Sequence, residues 1–181
     1  MIAIYDTVAR RLTALAPAVL PTLARFVFAA VLLVYFWNSA LLKIGPGPLG
    51  FVQPSVGAYA QIWPRAFEAA GYDTAAMSWF QWAVTVAGMW AEFLLPLLLM
   101  LGLLSRLAAL GMAGFVAVQS LTDLYGHGGI GQPATLGAWF DRLPDGVILD
   151  QRAFWVLGLM VVAILGAGPL SLDRLLARAR R

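Results

Sequence analysis

No cysteine occurs anywhere in the 181 residues. Disulfide exchange, thiolate catalysis, cysteine-ligated iron–sulfur clusters and cysteine-type zinc sites all need sulfur that the chain does not have. A bundle that forms disulfides at the expense of quinone is excluded on the same ground. Histidine is almost as scarce. With His127 alone, bis-histidine haem ligation within one chain is impossible, and a metal site would need carboxylates or a partner. Charge is scarce as well: Asp, Glu, Lys and Arg make up 12% of the sequence, against roughly 25% in soluble domains.

What is present in quantity is hydrocarbon. Hydrophobic residues make up 61% of the chain and the mean hydropathy is +0.81, so this is an integral membrane protein whose first partner is the lipid bilayer. At ~20 residues per crossing the length holds about four spans with their connections. The expected fold is all-α: a four-transmembrane-helix bundle with short interfacial helices, forming one domain over residues 1–181. The spans are placed at about 22–43, 79–104, 107–125 and 153–168. No resident metal and no nucleic-acid partner is expected.

The stretch from Trp79 to Arg106 organises the rest. It is long enough to cross a bilayer and carries a single carboxylate, Glu92, near its middle. A charge at that depth costs at least ~2.5–3.5 kcal/mol, so it is expected to face the bundle interior and to have a partner. Pro96, four residues on, has no N–H for the Glu92 carbonyl, which predicts a bend and a bare acceptor beside the carboxylate. Gln81, Thr85, Gly88 and Glu92 fall within about 60° of one another on an ideal helix, a narrow polar stripe.

Other segments add to this stripe. Residues 1–16 read as an interfacial amphipathic helix ended by Pro17 and Pro21. The first span carries Asn38 and Ser39, with Lys43 one turn beyond; these are either packing glue and a snorkelling lysine or part of a cavity. GPGPLG breaks the helix, and the connection to Ser78 reads as a cap at headgroup level. Gly111, Gly114 and Ala117 suit close helix contact in the third span, where Gln119 and Asp123 share a face. Leu136, Trp139, Phe140 and Leu143 keep helical spacing and predict a second interfacial helix, with Asp141, Arg142, Asp145, Asp150 and Arg152 as a solvated rim. From Ser171 onward the chain reads as a capped amphipathic helix whose arginines meet anionic lipid.

Arginine and lysine counts give the orientation. With a cytoplasmic N-terminus, eight of the 12 basic residues lie inside and Lys43, Arg65, Arg142 and Arg152 outside. Both termini are therefore expected in the cytoplasm. This arrangement puts Asn38, Ser39, Lys43, Gln81, Thr85, Gln119 and Asp123 in the outer half of the bilayer, where scattered packing residues would not have gathered.

These residues also carry a resemblance. A first span ending NSALLKI, then AEFLLPLLLMLGLLSRLAALG across the second and third spans, then GAGPLSLD after the last, resembles the DoxX family of bacterial four-helix membrane proteins. The similarity covers most of the chain, most specifically the Glu92 segment, the turn at 102–106 and the tail at 168–173. It implies a bacterial inner-membrane protein attached to a redox system, as in the membrane subunit of a thiosulfate:quinone oxidoreductase or assemblies concerned with oxidative stress.

Two functions follow as expectations. In one, a quinone enters from the lipid, Trp37, Trp82 or Trp90 flanks its ring, Asn38 or Gln119 bonds a carbonyl oxygen, and Glu92 carries the proton. Electrons then come from a partner protein. In the other, the chain is a non-enzymatic scaffold for another protein and Glu92 is structural; a transporter is a weaker third option. Because Glu92 lies about 20 Å inward of Trp79 at 1.5 Å per residue, a direct Glu92–Lys43 pair is not expected, and Asn38 or Gln119 is preferred as its partner.

Overall fold

The computed structural model describes residues 1–180, which are mostly helical and contain no strand. Four helices are long and apolar enough to cross a membrane: α1 (Ile2–Lys43), α4 (Trp79–Leu101), α5 (Ser105–Gly126) and α7 (Val147–Leu165). The connection after α1 holds α2 (Val56–Ile62) and α3 (Pro64–Ala69), the one after α5 holds the single turn α6 (Pro133–Leu136), and α8 (Leu172–Ala179) follows α7. The chain's two ends and the α4–α5 turn share one end of the bundle, the terminal end; the connections after α1 and α5 share the other, the cap end. Phe36, Leu99, Met112 and Leu159 are wholly buried where the four long helices meet. Val31, Leu110, Val118, Leu157 and Ile164 cover the outside with exposed hydrocarbon suited to lipid.

Helix α1 overturns one expectation. It runs unbroken through Pro17 and Pro21, and its 42 residues would extend about 63 Å. Pro21 is fully buried, and Ala18 and Thr22 lie against Gly168. Packing there holds the helix through a residue that alone would end it. The second interfacial helix is also absent: helix stops at Leu136 because Gly137 turns left-handed at φ 73°. Trp139, Phe140 and Leu143 follow in irregular chain, with Phe140 itself at φ 64°.

Helix boundaries follow local chemistry. Ser78 and Gln81 form a reciprocal capping box at the start of α4, and Gly102 ends it in the left-handed region at φ 69°. A side chain at position 102 would also collide with the Arg25 guanidinium and Ser171. Three stretches are π-helical: Ala29–Leu33 within α1, Thr122–Gly126 at the end of α5 and Val147–Arg152 at the start of α7. Such turns often accompany functional sites. Here the second and third carry the two partners of a partly buried ion pair, Asp123 and Arg152.

The terminal end holds a polar cluster that the sequence reading did not anticipate. Arg25 is buried and donates to the carbonyls of Leu99, Met100, Ala167 and Leu170 at 2.7–2.8 Å. It saturates the orphan carbonyls at the end of α4 and ties the turn before α8 to them. Asp173 accepts the backbone N–H groups of Leu104 and Ser105 at 2.8 and 2.9 Å. Buried polar groups therefore occupy both ends of the bundle, not the cap end alone.

Candidate functional site

Glu92 is 3% exposed and faces the bundle interior. Its carboxylate accepts two hydrogen bonds from Lys43 Nζ, at 3.0 and 2.8 Å, and one from Ser39 Oγ at 3.1 Å. Lys43 is equally buried and also bonds Ser39 Oγ at 2.7 Å. The direct pair thus forms, against the expectation from depth. The reason lies in the cap. Beyond Lys43 the connecting loop covers the first turns of α4, where Phe51 and Val52 carbonyls accept the indole N–H groups of Trp90 and Trp82. The first span therefore ends well below Trp79 instead of level with it, and Lys43 arrives at the depth of Glu92.

A cavity of about 370 Å³ lies beside this pair, between α4 and α5. It is a sideways slot. Ala87, Gly111, Gly114 and Val118 on its walls are also exposed on the bundle's outer face. Small residues keep it open: a Cβ at Gly114 would meet nothing within 4 Å, and one at Gly88 only Ile62 at 3.6 Å. Lys43, Glu92, Gln119 and Asp123 supply its polar lining. Pro96 is buried in the helix just below, and the Trp37 indole donates to the Phe93 carbonyl at 3.1 Å.

The other expected site residues divide clearly. Gln119 lines the slot with Nε2 on the Tyr35 hydroxyl at 3.2 Å, while its Oε1 is buried without a partner among the described residues. Asp123, at the cap end of the slot, is engaged by Arg152 Nη2 at 2.6 Å, and Arg152 also donates to Ser120. Arg152 is 4% exposed, so it does not belong to a solvated rim; the π-helical start of α7 turns it inward. Asn38 is exposed and makes no side-chain hydrogen bond among the described residues, which removes it as the partner of Glu92. Gln81 is spent on its capping box and Thr85 on the Gln81 carbonyl. Trp82 and Trp90 pin the cap loop and do not line the slot, so neither flanks a ligand there.

Ser39 and Lys43 on α1, Glu92 on α4 and Gln119 and Asp123 on α5 are thus brought together, while Asn38, Gln81, Thr85, Trp82 and Trp90 are not. Sequence reading missed Arg152, whose signal was its place at the start of an otherwise uncharged apolar run, and Arg25, an arginine inside a span. Among the described residues no group of acidic or histidine side chains could hold a metal ion. His127, at the cap, contacts the Gln61 carbonyl at 3.0 Å. Compared with known proteins, this chain matches no family model, no curated protein and no solved structure.

Proposed function

We propose that the slot between α4 and α5 admits a quinone from the membrane and that the protein is the membrane component of a redox system, as the resemblance to the DoxX family implies. The observation that carries this reading is an apolar, laterally open cavity with a buried lysine–glutamate pair at its polar edge. Its volume falls in the ~300–1,000 Å³ range of ligand pockets. The residues present fit such a head group: Lys43, its donors engaged by Glu92 and Ser39, places a positive charge at the slot's edge, and Gln119 Oε1, without a partner among the described residues, offers an acceptor to a hydroxyl. When bound, a quinone accepts two electrons and two protons. The electrons come from a partner protein, and the protons from the aqueous cap side, one of them by way of the Lys43–Glu92 pair. Glu92 holds that proton at its carboxylate while Lys43 and Ser39 fix its orientation. Membership of a bacterial inner membrane, with both termini cytoplasmic, belongs to the same proposal.

A second reading keeps the protein as a scaffold. Trp139, Phe140 and Leu143 form an exposed apolar ridge at the cap end, Phe140 fully so, and this ridge suits a protein partner docking there. One experiment separates the two. Native purification in mild detergent, followed by extraction and mass identification of lipophilic compounds, should yield a quinone from the wild type and none from Gly114→Leu, which fills the slot. A co-purified protein with no quinone from the wild type would favour the scaffold.

A further inference from the structure

The first residues of α1 pack against nothing in the bundle. Met1, Tyr5, Val8, Leu12 and Leu15 are each more than half exposed, and contact with the rest of the chain begins near Ala14, Pro17 and Ala18, which face the segment before α8. At about 100° per residue, Ile4, Tyr5, Val8, Leu12, Leu15 and Val19 share an arc of about 100°. Asp6, Thr7 and Arg10 lie on the other side of the helix, and Arg11 borders the arc. An exposed apolar face of this size must be covered by something.

The same arc continues into Leu23 and Phe26, with Val27 just beyond its edge, the exposed outer face of the crossing part of α1. The apolar face of the arm is therefore the outward, lipid-directed face prolonged beyond the bundle. Pro17 and Pro21 sit on the other side of the helix, roughly 160° from the centre of that arc. Each removes the hydrogen bond to a carbonyl one turn earlier and crowds it, so the helix gives most easily by bending away from the proline rings. That direction is outward. A helix standing along the membrane normal that bends outward turns its outward face down onto the membrane surface.

A second copy of the chain fits this face less well. Ile2, Ala9, Ala16 and Leu20 widen it beyond the narrow seam of a helix pair, and of the positions flanking a heptad through Tyr5, Val8, Leu12 and Leu15 only Arg11 is charged, leaving no complementary pair to set register. A wide apolar face with arginines at its edge and back is the pattern of a helix lying on lipid. The neighbouring α8 repeats it, with exposed Leu175 and Leu176 opposite Arg174 and Arg178.

We propose that residues 1–16 are a hinged arm that folds at the exposed Pro17, just beyond the packed Pro21, onto the bilayer surface at the terminal end, apolar face down, with Arg10 and Arg11 reaching anionic headgroups. The chain has no cysteine, so single-site labelling tests this directly. Full-length Val8→Cys, Leu12→Cys and Thr7→Cys proteins are labelled with an environment-sensitive fluorophore and placed in phosphatidylglycerol vesicles containing brominated lipid. A Leu23→Cys label, inside the crossing part, sets the full scale of quenching. Labels at 8 and 12 should be quenched about threefold or more above the label at 7. The Pro17→Ala, Pro21→Ala double variant, whose helix resists bending, should fall to the level of position 7. Equal quenching on both faces, none at 8 and 12, fluorophores on separate copies meeting at position 12, or quenching untouched by the proline replacements would each overturn the proposal.

Discussion

Lys43 and Glu92 are each 3% exposed and 2.8 Å apart, so neither charge has water to turn to when the other is removed. Breaking a buried pair from one side costs about 3–5 kcal/mol, whereas replacing both members with apolar residues of similar size is often neutral. Lys43→Met and Glu92→Leu should each lower the unfolding temperature strongly, and the two together should recover most of the loss. The double variant should still lose bound quinone if the pair faces a ligand. Thermal unfolding in detergent, read alongside the extracted lipid, checks both halves; a double variant as unstable as the singles would deny that the pair is a closed unit. Glu92 was legible in the sequence because a lone carboxylate in a long apolar run has few innocent explanations. Its partner was not, because helical rise gives depth only relative to a reference level, and the end of α1 is not level with Trp79. Nothing in residues 44–55 announced that this loop would pack against Trp82 and Trp90.

At the scale of elements, hydropathy located the four crossing helices, while tertiary packing set their ends. Arg152 was read as rim because the fourth span was taken to begin at Ala153; the helix begins instead at Val147 with a π-helical stretch and Arg152 is turned toward Asp123. The junction of α4, α5 and α8 shows how much such packing contributes. Leu104 sits in the left-handed region at φ 49°, a conformation unfavourable for leucine, and the Asp173 carboxylate holds its N–H and that of Ser105. Burial alone would raise the Asp173 carboxyl; the backbone N–H groups of Ser105 and Leu104, with Arg25 nearby, outweigh it and hold the group below its ordinary value. A depressed carboxyl stabilises the fold above its unfolded pKa and loses that contribution as pH falls through the folded one. The stability advantage of wild type over Asp173→Asn should therefore be full at neutral pH and shrink once pH drops below about 4. Unfolding curves of the two proteins compared at several pH values would show it; an advantage independent of pH would mean that the side-chain shape, not its charge, closes the turn.

For the whole molecule, burial alters the weight of the charge asymmetry that set the orientation. At the cap end Lys43 and Arg152 are locked in ion pairs, which leaves Arg65 and Arg142 as the exposed cations there. At the terminal end Arg25 is buried, but Arg10, Arg11, Arg106, Arg174, Arg178 and Arg180 remain exposed. The bias of free cations, two against six among the described residues, is steeper than the four-to-eight count over the whole sequence. Positive charge retained on the cytoplasmic side is a matter of what cannot be carried across during insertion, and arginines clustered on α8 and the arm of α1 add attraction to an anionic leaflet. Both termini should then be cytoplasmic and the α2–α3 cap should face outward. In intact cells a membrane-impermeant maleimide should modify Tyr72→Cys, exposed on the cap, and leave Arg178→Cys untouched until the cells are opened. The reverse pattern would invert the molecule. The Lys43–Glu92 slot would then draw its protons from the cytoplasm, and the arm of α1 would meet the outer leaflet instead of the inner one.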